Sequence, residues 1–414
     1  MQAVQFNFTI PRYVAGLVLG RFIPSILWNG MTTAGIHEVP EPELLGPDWV
    51  KVKTSLGGIC GTDLGTIYLH TSPYYSPFSD FPFTFGHEGV GTVAELGESV
   101  EGFELGQRVL LEPTLWCAPR GLPKAEWCPA CQRGETNRCQ NRSGGGQLAP
   151  ALFTGSSKDT GGSWSPYFLA HKSQLYAIPD ELSDEEALLI EPFACGIHAV
   201  LADFPGDDET ILILGAGTIG LVTLAALRAL GSTARVLVSA RYDFQADAAR
   251  RLGADEVFRS DDLYTQVAAE TGANLLKPTI GKRVVVGGAD RVYECVGADG
   301  SLDDANRLAR SGGTVLLVGV PGVAKGVDWS AIFSQELKLI ATTEYTHAEQ
   351  FQGQTRSAFD LGLELMQSGK AELGWMVSRQ YALGDFRQAL RDLADRRNHP
   401  IIKAAFAFDG SSNG

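Results

Sequence analysis

Three scarcities bound this 414-residue chain. Cations are in short supply: 34 Lys and Arg stand against 48 Asp and Glu, the formal net charge is -14, and no run of basic residues occurs. Nucleic acid and anionic membranes are held by local Lys/Arg excess, so neither is expected as a main partner. Long apolar runs are also missing, because the stretch from Ile10 to Trp28 is broken by Pro11, Arg12, Gly16, Gly20, Arg21 and Pro24. Neither a signal peptide nor a membrane span reads well there, and a soluble, cytoplasmic protein is expected. Cysteine is scarce too, at seven residues, a density that argues against a disulfide scaffold.

Four of those seven nevertheless fall close together, at Cys117, Cys128, Cys131 and Cys139. That clustering fits metal ligation in a reducing compartment. Glycine is plentiful at 48 residues without any period, which signals tight turns rather than a collagenous or linker sequence. The length exceeds what one ordinary core accommodates, so two or three domains are expected.

Residues 1 to about 180 are punctuated by Gly and Pro, with short β-type runs at Trp49–Thr54 and Gly89–Ala94. Ser183 followed by Glu186 is a capping-box signature, and a helix is expected over Ala187–Ala202 with Pro192 disturbing its middle. From about 210 the texture changes. Apolar strand candidates appear at Ile211–Leu214, Arg235–Ser239, Glu256–Phe258, Arg291–Val296, Thr314–Val318 and Leu337–Ala341, separated mostly by helix-compatible segments. This spacing predicts an α/β fold whose parallel sheet is covered on both faces. Val284–Gly288 reads either as a further strand or as a buried connection. Helices are expected over Thr355–Gln367 and Gly384–Arg396, and the final apolar run Ile401–Phe406 could rejoin the first domain.

Leu214-Gly215-Ala216-Gly217-Thr218-Ile219-Gly220 follows one strand candidate and opens a helix candidate, the context that gives a GxGxxG string its meaning. Gly215 permits the tight turn, Gly217 lets backbone approach a pyrophosphate, and Gly220 allows close helix-to-strand packing. The phosphates would meet the free N–H groups at Thr218 and Ile219. The next strand ends in Ser239-Ala240-Arg241-Tyr242 without a carboxylate. Arg241 can pair with a 2'-phosphate and the hydroxyls of Ser239 and Tyr242 can add contacts, which favours NADP. In the alternative, Arg241 is a surface residue, Asp243 binds the ribose, and the coenzyme is NAD.

Cys60-Gly61-Thr62-Asp63 precedes Gly86-His87-Glu88-Gly89 by some twenty residues. With the glycine-rich turn, Glu294-Cys295-Val296-Gly297, Gly312-Gly313 and the cysteine cluster in this order, the sequence resembles the zinc-dependent medium-chain dehydrogenase/reductases. The resemblance covers nearly the whole chain and includes the alcohol and polyol dehydrogenases. It implies a Rossmann-type domain over 193–349 and an irregular β-rich, chaperonin-10-like catalytic domain over 1–192 and 350–414. A structural-zinc lobe is implied at 112–142.

By the same resemblance Cys60 and His87 are ligands of a catalytic zinc. Ile190-Glu191-Pro192 resembles the form in sorbitol and threonine dehydrogenases, which makes Glu191 the third ligand and Glu88 a fourth or exchanging one. Cys195 is read as a small buried hydrophobe, with ligation as its alternative. Such a set leaves zinc open to an alcohol oxygen. Asp63 is implied to orient His87, and Thr62 to begin a proton relay. Several relatives carry a histidine three residues beyond Thr62, where this chain has Gly65; the relay then runs through cofactor ribose and water, or through His70. Val296 and Gly319 are implied in cofactor binding.

The aromatic loop Tyr68–Phe83 either shapes a substrate pocket or is ordinary core. Cys128, Cys131 and Cys139 resemble the last three positions of the structural-zinc lobe, but Ala125 stands where relatives commonly have the first cysteine. Cys117 could fold back to supply it, against a vestigial or disulfide-bearing lobe. The function expected is hydride transfer between NADP(H) and an alcohol, polyol or sugar, in a homodimer or homotetramer. The competing readings are a zinc-independent reductase of activated double bonds or carbonyls, and an NADP-binding sensor.

Overall fold

A computed structural model describes residues 1–408. The chain divides into two compact units, Met1–Glu191 with the segment from Glu372 onward, and Pro192–Ala371. No helix among the described residues is long and apolar enough to cross a membrane.

The first unit is built on strands β1 (Gln2–Phe6), β2 (Ala34–Glu38), β3 (Trp49–Ile59), β4 (Phe83–Thr84), β5 (Gly89–Leu96), β6 (Arg108–Leu111), β7 (Tyr167–His171) and β8 (Leu175–Ala177), joined late in the chain by β19 (Val377–Ala382) and β20 (Lys403–Ala407). Seven of these form one sheet in the order β19-β20-β3-β5-β6-β8, with β7 also paired to β3. The β-branched residues of β3 alternate inward, and Val50 and Val52 pack with Val93, Val109, Leu111 and Phe168. A smaller sheet, β2-β1-β4, borders an aromatic core of Phe6, Phe83, Phe85, Trp164, Phe386 and Phe406. The final apolar run does return to this unit: β20 lies antiparallel to β3, with Ala405 opposite Gly58.

The capping box at Ser183 and Glu186 forms, but the helical stretch behind it is broken. One helix spans Asp184–Leu188 and the next Ile190–Ala202, so Pro192 falls in a first turn, where its missing N–H costs no hydrogen bond.

The second unit contains β9 (Thr210–Leu214), β10 (Arg235–Ala240), β11 (Glu256–Arg259), β14 (Ala289–Glu294), β15 (Ala309–Leu317) and β16 (Lys338–Ala341), all parallel and ordered β11-β10-β9-β14-β15-β16. Counting only these six, the order is 3-2-1-4-5-6, the arrangement of a Rossmann sheet. Val284–Val286 is a strand, β13, but it pairs with β12 (Asn274–Leu276) in a separate hairpin outside the main sheet. Where sequence placed the return to the first unit at 350, the contacts keep residues 350–371 with the second. There β17 (Glu349–Phe351) pairs with β18 (Gln354–Arg356), and Glu349 Oε1 lies 2.7 Å from His198 Nδ1.

Candidate active site and metal centres

At the end of β3 the chain turns at Cys60 into the helix Gly61–Ile67. Asp63 Oδ2 accepts the Cys60 N–H at 3.0 Å, which caps the helix. Its other oxygen lies 3.3 Å from His87 Nδ1, so one buried carboxylate fixes both the cysteine's turn and the imidazole, with Nε2 as the nitrogen not held by Asp63. His87 is delivered to this point by Gly86, whose φ of +99° suits glycine. A Cβ on Gly86 would lie 2.4 Å from Ser163 Oγ and 2.7 Å from Trp164 N. On the far side the ring of Phe153 stacks on His87 at 5.6 Å. The donor atoms of Cys60, His87 and Glu88 all lie within 4.8 Å of one another.

Glu88 adds a feature that sequence reading missed. Its carboxylate, 1% exposed, forms an ion pair with Lys403, 2% exposed, on β20. Gly58 makes room for it, since a Cβ there would stand 2.0 Å from Glu88 Oε2. Burial alone would lower the Lys403 pKa, but Glu88, Cys60 and Glu191 outweigh it and hold the ammonium above its ordinary value. His87 behaves likewise: burial pulls it down, while Asp63 and Cys60 keep it well above the usual histidine range. Glu191 is buried, yet its carboxylate is not part of the 4.8 Å cluster. The only sequence signal for Lys403 was a single cation inside the apolar run Ile401–Phe406.

A cysteine sulfur, an imidazole and a carboxylate brought together, the last two buried, match the donor preferences of zinc. Thr62 sits beside this set, its hydroxyl 3.7 Å from Cys60 Sγ. His70 is exposed, its ring against that of Tyr68, while at the Gly65 position the nearest hydroxyl is Thr71 Oγ1, hydrogen-bonded to Thr66 Oγ1 at 3.1 Å. The aromatic loop divides: Phe81 and Phe83 pack against Phe6 in the core, whereas Tyr74 is exposed. Cys195, in the second unit, belongs to neither ligand cluster among the described residues.

Cys117, Cys128, Cys131 and Cys139 converge, all buried, with their sulfurs within 4.8 Å of one another. The Pro/Gly-rich excursion does fold back, and Cys117 Sγ approaches Cys139 Sγ to 3.8 Å. None of the four is in a disulfide. The sulfurs accept N–H groups as thiolates do: Cys128 and Asn141 Nδ2 donate to Cys117, Gln140 to Cys128, and Asn141 to Cys139, at 3.3–3.4 Å. A hydrogen bond from Cys131 is the largest influence holding the Cys139 thiol down to about 5, and the same bond raises Cys131.

In the second unit, Gly215 turns out of β9 with φ +94°, and a Cβ there would meet Val296 Cγ2 at 2.4 Å. At Gly220 a Cβ would strike Gly215 O at 1.8 Å, whereas at Gly217 it would meet nothing within 4 Å. Open space is therefore left at the start of the helix Thr218–Ala229, the end of a helix that favours an anion. Glu294 accepts the N–H groups of Val296 and Gly297 at 3.0 Å, and Gly319 packs against the same turn. Beyond β10, Arg241 is exposed, lies 5.5 Å over the Tyr242 ring, and has no ion-pair partner among the described residues. Ser239 is buried, and Asp243 is paired with Arg259.

Residues 46–180 match the alcohol dehydrogenase GroES-like domain, and residues 218–360 match the zinc-binding dehydrogenase domain. The chain belongs to the zinc-dependent medium-chain dehydrogenase/reductase family. Its similarity to L-idonate 5-dehydrogenase of Vitis vinifera is 29% identity, over 91% of this chain and 92% of that one. For sorbitol dehydrogenase of Bacillus subtilis it is 27%, over 88% and 91%. A protein of Sinorhizobium meliloti, classed as a zinc-binding dehydrogenase and solved with NADP bound, superposes with a TM-score of 0.69 at 27% identity, covering 91% of this chain and 96% of that one. This family member is thus an oxidoreductase of polyol and alcohol dehydrogenase type, acting on small molecules.

Proposed function

We propose that the protein interconverts a polyol, sugar or other secondary alcohol and its carbonyl product, with NADP(H) as coenzyme and one catalytic zinc. The reading is carried by the cluster of Cys60, His87 and Glu88 with Asp63 on the far nitrogen of His87. Cys60, His87 and Glu191 would hold the metal, and Glu88 would exchange with Glu191 or with substrate. Bound there, zinc would polarise the alcohol or carbonyl oxygen, and the nicotinamide would accept or return the hydride.

The chain's own groups do the rest. Asp63 engages Nδ1 of His87, so that Nε2 is the nitrogen left to give a lone pair to the metal. Lys403 stands as the counter-ion of the Glu88 carboxylate in a dry setting. Thr62 offers a hydroxyl that can take the substrate's proton and pass it outward. The half-buried ring of Phe153, stacked on His87, covers one face of the imidazole. A second zinc in the four-cysteine lobe would have no open position and serve structure alone.

NADP is favoured because the unpaired Arg241 guanidinium and the Ser239 hydroxyl stand at the end of β10, while Asp243 is engaged by Arg259. Metal analysis combined with coenzyme reduction across alcohols, polyols and aldoses tests the proposal. Zinc-dependent NADPH formation is expected; activity untouched by Cys60→Ser would refute it.

A further inference from the structure

We propose that Arg120 is the fixed counter-charge of the four-cysteine site, a positioning residue that sets how tightly the lobe holds its metal. The inference rests on the structural-zinc reading and deepens it.

Arg120 is 0% exposed, and a guanidinium stays protonated in proteins. Burying such a charge is costly unless an opposite charge offsets it. Yet among the described residues no carboxylate lies within ion-pair distance. Its hydrogen bonds go to backbone carbonyls: Nε to Leu115 at 3.1 Å, Nη1 to Leu148 and Ala149 at 3.4 and 3.2 Å, and Nη2 to Arg142 and Ala151 at 3.2 and 2.6 Å. Carbonyls orient a guanidinium but leave its net charge intact.

The negative charge that answers it is in the lobe. Arg120 stands three residues after Cys117, and its partner Arg142 three after Cys139. Burial holds Arg120 below its ordinary value; Cys139 is the largest influence against that, joined by Cys117 and Asp159, while Arg142 adds to the lowering. Four thiolates around a dication leave an excess of about two negative charges. Arg120 offsets part of that charge from inside the protein. The same fork ties the cysteine-bearing turn to the segment Leu148–Ala151, so position and charge are fixed together.

A purely mechanical clasp predicts something different from a counter-charge, and two variants of the full chain separate them. Arg120→Lys keeps the charge and loses the fork; Arg120→Gln keeps some donors and loses the charge. Lobe affinity is measured by chelator competition in a Cys60→Ser background, where the thiolate charge-transfer absorption of substituted cobalt(II) reports the lobe sulfurs alone. The counter-charge role predicts a loss of about 10- to 100-fold in Arg120→Gln and under about threefold in Arg120→Lys. Equal losses in both, or none in either, would overturn it. Should Arg120→Gln not fold, Arg120→Lys decides alone: weakening beyond about tenfold refutes the inference, and retention supports it against the clasp. A wild-type chain whose cobalt form shows no sulfur charge transfer would overturn the zinc reading and this inference with it.

Discussion

Replacing Lys403 by Met strands the carboxylate of Glu88, which is 1% exposed and held by that ammonium. Removing one member of a buried ion pair costs about 3–5 kcal/mol, because the remaining charge keeps its desolvation penalty and loses its partner. For a unit of this size each kcal/mol moves the melting temperature by about 2–4 °C, so Lys403→Met should lower it by about 10 °C. The double variant Glu88→Gln/Lys403→Met removes both charges and should recover more than half of that. Melting is followed on chelator-treated protein at one scan rate, since a metal at Cys60 and His87 would take over the role of the ammonium. A Lys403→Met variant melting within about 2 °C of wild type, with no recovery in the double variant, would refute the ion-pair argument.

Four other outcomes are expected. Arg241→Asp should raise the NAD/NADP ratio of kcat/KM by about 10-fold or more, because a carboxylate repels the 2'-phosphate and binds a ribose hydroxyl; an unchanged ratio contradicts the phosphate assignment. Metal analysis should find two zinc per wild-type chain and one in Cys117→Ser, and two in both would remove Cys117 from the ligand set. Gly86→Ala forces a Cβ to 2.4 Å from Ser163 Oγ at a φ of +99°, so it should displace His87 and weaken the catalytic metal at least tenfold by chelator competition, sparing the lobe metal. His171 is buried against Trp49 and burial lowers its pKa to about 4. Because the unfolded imidazole takes its proton at about 6.5 and the folded one does not, stability should fall as pH drops from 6.5 towards 4. His171→Gln should flatten that part of a denaturation profile.

Much of the fold was legible because its signals are local. Six strand candidates became the six strands of the parallel sheet, and the buried ones, such as β9 and β10, show most plainly as apolar runs between glycine-marked turns. Val284–Val286 resisted assignment for a physical reason: three valines look the same in a central strand or in a small hairpin, and only their pairing with Asn274–Leu276 tells them apart. The break at Leu189 was misplaced because proline disfavours a helix interior while fitting a first turn, and sequence alone does not fix where the turn begins. Within the site, Cys60, His87 and Asp63 could be named from short motifs. Lys403 could not, since it comes from a strand more than three hundred residues away in sequence and makes its case only through contact.

The two cysteine-containing clusters share a principle and differ in how they apply it. Each concentrates negative donors in a dry place, and each has a fully buried cation beside it: Lys403 at Cys60 and Glu88, Arg120 at the four thiolates. An ammonium on a flexible stem can stay with Glu88 or release it as that carboxylate changes partner, which suits a site that must open to substrate. A guanidinium locked by five carbonyls has no such freedom, which suits a site that stays closed. On the proposed function, lysine in one place and arginine in the other follow from what each metal would be asked to do. The exchange should fail at the first site: Lys403→Arg overfills the space beside Glu88, whose Oε2 already excludes a Cβ at Gly58.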